Sequence, residues 1–232
     1  MKYPILFWDI DGTLMDFKAS EKVSLGNCLT RMGVVPEERL ITGYSAINRK
    51  YWQAYERDEM TRDEVLIERF VEFFHTFGIK GDPKPFLTQY EEQLGHNWFI
   101  QDDALTLCKK LKDMGICQYA VTNGQADVQH TKLRESGLDQ ILDDCFISDD
   151  MGSWKPQKAF FEACFERVFG EKCPEPEKKA KVLMIGDSLT SDIRGGNNAG
   201  IDTCWYDDGS DPERVDVHVD YRISNLWDVL TL

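Results

Sequence analysis

The sequence lacks several features that would place it in other classes of protein. It has no C-x-x-C pair, no histidines at metal-ligand spacing, no block of lysine or arginine, and no apolar run long enough to cross a bilayer. Its net charge of −14 over 232 residues disfavours binding to a nucleic-acid polymer or to an anionic membrane. The N-terminal residues have no signal-peptide layout, and we find no internal repeat or low-complexity segment.

The cysteines give no sign of a disulfide framework. There are seven, an odd number, and most of them lie in apolar surroundings. Cysteines of this kind are typical of a reduced compartment, where they act as small core residues. We therefore expect a cytoplasmic protein. The apolar fraction of 42% allows a sizeable core, and the length allows one large domain with an insertion.

The most informative stretch of the sequence is residues 5–14, ILFWDIDGTL. A brief apolar run of this kind predicts a buried strand. Such a strand would deliver Asp9, Asp11 and the Thr13 hydroxyl to the carboxyl edge of a sheet, where open α/β sheets bind their ligands. The alternative is a strand followed by an acidic turn, because Asp and Gly favour turns.

Residues 17–97 differ from the rest of the chain, since they show helical spacing and no strand-like runs. Thr61 and Glu64 have the spacing of a capping box, and the aromatic stripe that follows predicts the core of a helix bundle. In residues 98–232 strands alternate with helices, which indicates a mainly parallel sheet covered on both faces. We therefore expect an α/β core of residues 1–16 and 98–232 and an inserted all-helical domain.

Two further segments place polar groups after predicted strands. Thr122, Asn123 and Gly124 follow one strand and precede a helix, whose N-terminus suits an anion such as a phosphate. Thr122 and Asn123 offer donors to this ligand, and Gly124 lets the backbone approach it. Lys155 stands before a proline that begins a helix, so its backbone is restrained. The alternatives are an ordinary helix cap and a solvated lysine.

A third segment repeats the acidic pattern of residues 5–14. Asp187 follows an apolar strand, and Asp192 comes shortly after it, where it could instead cap a helix. Asp9, Asp11 and Asp187 together form a cluster of hard oxygen ligands. Such a cluster suits Mg²⁺, which is usually held by carboxylates and shared with phosphate groups.

Together these groups predict phosphoryl-transfer chemistry. A phosphoryl group needs its charge neutralised and its attacking and leaving oxygens placed in line. Mg²⁺ and Lys155 would neutralise the charge, and Thr122 with the neighbouring backbone amides would hold phosphoryl oxygens. Asp9 would be the nucleophile that forms an aspartyl-phosphate. Asp11 would protonate the leaving alkoxide and then activate water.

Four ordered motifs make the chain resemble the haloacid dehalogenase (HAD) superfamily of phosphatases, in the subfamily with a helical cap. The motifs are Asp9-Ile10-Asp11-Gly12-Thr13, Thr122-Asn123, Lys155-Pro156, and Gly186-Asp187 with Asp192. The resemblance implies a Rossmann-like, three-layer α/β/α parallel-sheet core with an inserted all-helical cap of residues 17–97.

The same resemblance implies further roles for the motif residues. Asp11 would also bind the metal, through its backbone carbonyl, and Asp187 would be a metal ligand with Asp9. Lys155 would bridge Asp9 and the phosphate, and Thr13 and Asp192 would support the site. Dehalogenases of the superfamily lack the second acid of the first motif, because a halide leaves without a proton. The presence of Asp11 therefore favours a phosphatase.

The cap suggests a substrate class. Residues 44–55 (YSAINRKYWQAY) and residues 195–205 (GGNNAGIDTCW) resemble the pyrimidine 5′-nucleotidases that act on noncanonical nucleotides. The side chains that would contact a base are Asn48, Tyr51, Trp52 and Tyr55. The alternative is that the three aromatic residues form the core of the cap.

We therefore expect a Mg²⁺-dependent phosphomonoesterase that acts on a small phosphorylated metabolite, a pyrimidine-type nucleoside 5′-monophosphate. A phosphoglycolate or sugar-phosphate phosphatase is the alternative, and a phosphorylatable binding module is a third hypothesis. The sequence leaves the oligomeric state open. It departs from many relatives at Asp102-Asp103, where they have Pro-Gly.

Overall fold

The computed structural model describes residues 1–209 and 215–232, which form two compact units. The α/β unit comprises Met1–Asp16 and Ile100–Leu232, and the helical unit comprises Phe17–Phe99. The boundary expected after residue 97 falls just before the observed one. Among the described residues, no helix combines the length and the apolar character needed to cross a membrane. The cytoplasmic location stays a prediction.

Six parallel strands form the sheet of the α/β unit. They are β1 (Ile5–Trp8), β2 (Cys117–Thr122), β3 (Asp144–Ile147), β4 (Val182–Gly186), β5 (Asp202–Tyr206) and β6 (Tyr221–Ile223). Their order across the sheet is β3-β2-β1-β4-β5-β6. The β1 strand lies between β2 and β4, since Ile5 pairs with Cys117 on one side and with Val182 on the other. The parallel sheet predicted from the alternating pattern is confirmed.

The helices follow the predicted division of the chain. Those of the helical unit are α1 (Phe17–Arg31), α2 (Glu38–Glu56), α3 (Arg62–Phe77) and α4 (Pro83–His96). Those of the α/β unit are α5 (Ala104–Asp113), α6 (Ala126–Ser136), α7 (Ser148–Met151), α8 (Lys158–Phe169), α9 (Pro176–Lys179) and α10 (Arg194–Ala199). A π-helical turn, Leu189–Ile193, and short 3₁₀ segments, Leu138–Gln140 and Leu226–Thr231, complete the described elements.

Both faces of the sheet are buried. On one face, the ring of Phe7 lies 6.2 Å from that of Phe165 in α8, centroid to centroid. On the other face, the Trp8 indole donates to the side chain of Gln118 (3.3 Å), which donates to the carbonyl of Cys108 in α5 (2.8 Å). Strands covered on both faces are apolar throughout, and this explains why β1 reads as an uninterrupted apolar run.

The helical unit has an aromatic core. Phe70 and Phe73 of α3 are fully buried, and the Phe70 ring stacks on Tyr44 of α2 at 5.1 Å between centroids. The Thr61 hydroxyl accepts a hydrogen bond from the Glu64 amide (3.3 Å), and the Glu64 carboxylate accepts one from the Thr61 amide (2.8 Å). The capping box and the assignment of the aromatic stripe to the bundle core are therefore both confirmed.

Candidate active site

The site is built at the carboxyl edge of the three central strands. Asp9 follows β1, Thr122 ends β2, and Asp187 follows β4. Because β1 lies between β2 and β4, these three side chains converge at one edge of the sheet. The Asp9 amide continues the ladder by donating to the carbonyl of Ile185 (2.9 Å), so the backbone at the carboxylate is held as firmly as the strand itself.

Asp9 is buried, with 6% of its surface exposed. Its Oδ1 accepts a hydrogen bond from Lys155 Nζ at 2.7 Å, whereas its Oδ2 is buried and has no hydrogen-bond partner among the described residues. Burial raises the pKa of Asp9 to about 7; the ammonium of Lys155 opposes this rise, and the carboxylate of Asp192 adds to it. One oxygen of Asp9 is thus available to bond to a metal or to phosphorus.

Lys155 is the buried cation beside Asp9. Its Nζ donates at 2.7 Å to Asp9, to Asp192 Oδ1 and to the carbonyl of Val121. Burial works against its charge, but the carboxylates of Asp192 and Asp9 outweigh burial and raise the pKa of Lys155. The backbone of Lys155 is fixed by Asn123, whose side chain accepts from its amide and donates to its carbonyl, both at 2.8 Å.

The side chain of Asn123 thus holds the backbone of Lys155, and its predicted contact with the phosphate stays a prediction. Thr122 is buried, and its hydroxyl oxygen accepts a hydrogen bond from the Gly124 amide at 3.1 Å. The hydroxyl hydrogen of Thr122 therefore points elsewhere and can be donated to a ligand oxygen. In the Thr122-Asn123 pair, the Asn123 amide group holds the lysine, and a ligand contact by the Thr122 hydroxyl stays a prediction.

Asp187 lies against the first motif. Its amide donates to the Thr13 hydroxyl (3.1 Å), and the indole of Trp205 donates to its carbonyl (2.9 Å). Gly12 has a φ of 101°, and a Cβ at this position would lie 2.5 Å from Asp187 Oδ2. A glycine is therefore needed at position 12, both for its backbone conformation and for the close approach of the carboxylate.

The carboxylates fit a small divalent cation. One oxygen each from Asp9, Asp187 and Asp192 lies within 4.8 Å of the others. Desolvation raises the pKa of Asp187, and the charges of Asp9 and Asp192 raise it further. When ionised, the three carboxylates outnumber the ammonium of Lys155, and the Oδ2 of Asp9, which has no hydrogen-bond partner among the described residues, adds a free ligand atom. Hard oxygen ligands of this kind suit Mg²⁺.

Asp192 has its oxygens engaged within the site. Oδ1 accepts from Lys155 and Oδ2 accepts from the Ser188 amide at 3.0 Å. Its position in the π-helical turn brings it beside Gly186, where a Cβ would lie 2.2 Å from Asp192 Oδ2. Asp192 is therefore placed to anchor Lys155, in keeping with the supporting role expected of it.

The carboxylate of Asp11 points to helix α6. Lys132 Nζ lies 2.6 Å from its Oδ1, and Gln129 Nε2 lies 2.6 Å from its Oδ2. Neither partner was predicted from the sequence. The available signal was the spacing, since Gln129 and Lys132 are three residues apart and alternate with the apolar residues on the inner face of α6. That the Asp11 carbonyl binds metal stays a prediction.

The residues predicted to contact a base all lie in the helical unit. Asn48 is buried, and its amide group donates to Glu21 (2.9 Å) and accepts from Arg69 (2.7 Å). Tyr51 donates to Glu72 at 3.0 Å, and Trp52 meets Tyr55 edge to face at 5.8 Å. Tyr55 is buried, and Tyr51 and Trp52 are half-buried. A substrate contact by any of the four stays a prediction.

Comparison with known proteins identifies the family. Residues 3–200 match the model of the haloacid dehalogenase-like hydrolases. The chain belongs to this family, as its four motifs predict.

Two full-length relatives are similar in sequence. The chain is 34% identical over 226 residues to YfnB of Bacillus subtilis (strain 168), which is named as a HAD-hydrolase. The match covers 97% of this chain and 93% of YfnB. It is 33% identical over 230 residues to the pyrimidine 5′-nucleotidase PynA of Streptococcus pneumoniae (strain ATCC BAA-255 / R6), covering 99% and 94%. A crystal structure of YfnB bound to magnesium matches with a TM-score of 0.90 at 33% identity, over 100% of this chain and 98% of that one. The predicted fold class is confirmed.

Proposed function

We propose that this chain is a Mg²⁺-dependent phosphomonoesterase that works through an aspartyl-phosphate on Asp9, with a pyrimidine nucleoside 5′-monophosphate as its substrate. The observation that carries the proposal is the environment of Asp9. One of its oxygens is held by Lys155 at 2.7 Å, and the other is buried without a partner among the described residues. A carboxylate held in this way is oriented for attack by one oxygen.

The neighbouring residues supply the other parts of the reaction. Lys155 neutralises charge on Asp9 and on the phosphoryl group, and the Thr122 hydroxyl donates to a phosphoryl oxygen. Asp11 gives its proton to the leaving oxygen and later takes a proton from the attacking water. These roles match those that the residue types predict, and each group lies at the same edge of the sheet.

Asp9, Asp187 and the backbone of Asp11 would hold the metal, with Asp192 close by. When bound, Mg²⁺ supplies positive charge that offsets the carboxylates and the phosphoryl oxygens. Asp9 must be ionised to act as a nucleophile. The ammonium of Lys155 already favours this form, because it opposes the rise in the pKa of Asp9 that burial causes.

Two features favour a nucleotide over other phosphate esters. The chain is 33% identical over nearly its whole length to a pyrimidine 5′-nucleotidase. Its helical unit also carries Tyr51 and Trp52 half-buried, as aromatic faces on which a base could stack. A phosphoglycolate or sugar-phosphate phosphatase is the alternative that the experiment must distinguish.

The test is phosphate release from a panel of esters with Mg²⁺ present: UMP, dUMP, phosphoglycolate and glucose 6-phosphate. We expect UMP and dUMP to have the highest kcat/KM, and no release by the Asp9→Asn variant or after chelation with EDTA. If phosphoglycolate or the sugar phosphate is turned over best, the nucleotide assignment is wrong and the chemistry stands. Undiminished release by Asp9→Asn would overturn the mechanism.

A further inference from the structure

Two side chains on the buried face of helix α6 contact the carboxyl group of Asp11, the residue proposed to transfer protons. Lys132 has no exposed surface and Gln129 has 1%, whereas the side chain of Asp11 is 20% exposed. Each of the two partners lies 2.6 Å from a different oxygen of Asp11. The carboxyl group is therefore fixed at both oxygens by side chains that are themselves held in the core.

The loop before α6 leaves room for the side chain of Gln129. A Cβ at Gly124 would lie 2.1 Å from Gln129 Nε2, so a larger residue at that position would displace the glutamine side chain. Gly124 was predicted to lie close to the phosphate. In the structure it also makes room for the residue that orients Asp11.

We infer that Lys132 and Gln129 are positioning residues for Asp11, which hold its carboxyl group in the orientation that proton transfer to the leaving oxygen requires. This inference rests on the proposed phosphatase function and extends it to two residues outside the four motifs. Both residues act through Asp11, because their polar atoms contact its oxygens.

The two proton transfers of the reaction show where the orientation of Asp11 matters. As the bond from Asp9 to phosphorus forms and the ester bond breaks, the proton of Asp11 passes to the departing oxygen. Asp11 is left as a carboxylate beside the ammonium of Lys132. In the second step, water bonds to phosphorus as the bond to Asp9 breaks, and Asp11 takes the proton of that water. Both transfers need the carboxyl group of Asp11 in one orientation, and the contacts with Lys132 and Gln129 fix that orientation.

The role of Asp11 depends on the chemistry of the leaving group. An alkoxide must be protonated as it departs, whereas a thiolate departs without a proton. The test therefore compares UMP with its analogue in which sulfur replaces the 5′-bridging oxygen. The parameter is kcat/KM, which reports only the steps up to the first irreversible one, the formation of the aspartyl-phosphate. Should another ester of the panel prove the better substrate, that ester and its bridging-sulfur analogue take their place.

In Lys132→Met we expect kcat/KM to fall about 100-fold with the oxygen ester and by less than about threefold with the sulfur ester. Gln129→Leu should lower the oxygen-to-sulfur ratio about threefold, since one hydrogen bond is lost and the charge stays. The control is Arg134→Met, which removes an exposed cation from the same helix and should leave the ratio unchanged. The ratio of two substrates in one preparation does not depend on the fraction of folded enzyme.

The outcomes separate this inference from the proposed function. If Lys132→Met and Gln129→Leu lower kcat/KM equally for the oxygen ester and the sulfur ester, the two residues are structural. The inference is then wrong, although the phosphatase function stands. If Lys132→Met does not fold, the ratio in Gln129→Leu decides. If the wild type releases no phosphate from any ester of the panel, the proposed function itself fails.

Discussion

Both units of the chain bury charged side chains, but they balance the charge differently. In the helical unit, Glu21 and Arg69 are 3% and 4% exposed and are joined through the amide of Asn48. In the α/β unit, the ammonium of Lys155 contacts the carboxylates of Asp9 and Asp192, and the carboxylate of Asp187 lies in the same cluster. When all the groups are ionised, the first set is neutral as a whole and the second carries an excess of negative charge.

The pKa shifts have the same first cause and different consequences. Burial raises the pKa of Glu21, and Ser45, Arg69 and Asn48 all oppose that rise. Burial also raises the pKa of Asp9, but here Lys155 is opposed by the charge of Asp192. The comparison teaches that burying charge does not by itself mark a functional site. The excess of one sign, together with an unpartnered oxygen, distinguishes the site from a structural network.

Of the variants considered, removal of the Lys155 ammonium should have the largest effect on activity and stability. Lys155→Met leaves Asp9 and Asp192 buried without their ammonium. We expect kcat to fall about 10³-fold, and the free energy of unfolding without Mg²⁺ at pH 8 to fall by about 3 kcal/mol. Phosphate release and urea unfolding measure the two effects. Wild-type stability in this variant would mean that the carboxylates do not need the lysine.

Removal of the Arg69 guanidinium in the helical unit should lower the free energy of unfolding by a similar amount. Arg69→Met leaves Glu21 buried with an uncompensated charge, and we expect a loss of about 3 kcal/mol in urea unfolding. Adding Glu21→Gln removes that charge as well and should recover all but about 1 kcal/mol. If the double variant is as unstable as Arg69→Met, the network is not held together by charge balance.

The excess charge predicts how pH and metal affect stability. The pKa of Asp9 is raised to about 7 in the folded protein, so in the absence of metal its ionisation costs stability as pH rises from about 4 to about 7. Mg²⁺ needs the ionised carboxylates. The rise in Tm caused by Mg²⁺ should therefore be larger at pH 8 than at pH 5.5, and at saturating metal it corresponds to about 3 kcal/mol.

The measurement is thermal unfolding at each pH with Mg²⁺ and with EDTA, and the difference within one pH cancels the titrating groups that lie away from the metal site. Asp9→Asn is the control and should reduce the pH dependence, whereas the raised pKa of Asp187 should preserve part of it. An equal effect of Mg²⁺ at the two pH values would contradict the assignment of Asp9 and Asp187 as metal ligands.

The smallest effect is expected from an exposed ion pair of the helical unit. Lys50 lies 2.6 Å from Glu72, and the two side chains are 65% and 31% exposed. Lys50→Ala should change the free energy of unfolding by less than about 0.5 kcal/mol, because solvent screens such pairs. A loss as large as that of Arg69→Met would show that burial is not what separates the two kinds of pair.

The sequence predicts the convergence of the site because each motif follows a strand. Asp9, Thr122 and Asp187 need no side-chain information to meet, since parallel strands bring their carboxyl ends to one edge. The contacts of Gln129 and Lys132 with Asp11 were not predicted. Their spacing places both residues on the face of α6 that carries the apolar residues, but a helical pattern does not show which group that face meets.

The segment Asp102-Asp103 shows a second limit of prediction. Both residues have positive φ values, 46° and 56°, although neither is glycine. The Asp102 carboxylate accepts hydrogen bonds from the Tyr206 hydroxyl and from the Leu226 amide, both at 3.1 Å. These partners are distant in sequence, so a local pattern could not reveal what holds the strained backbone.

The central position of β1 has a consequence for biosynthesis. Its partners across the sheet lie at Cys117 and Val182, far along the chain. At about 5–20 residues per second, β1 is synthesised roughly 9–35 s before β4. For that time β1 lacks one of its two neighbouring strands and is open to chaperones. The segment that carries the nucleophile thus acquires both of its native neighbours only once β4 has been made.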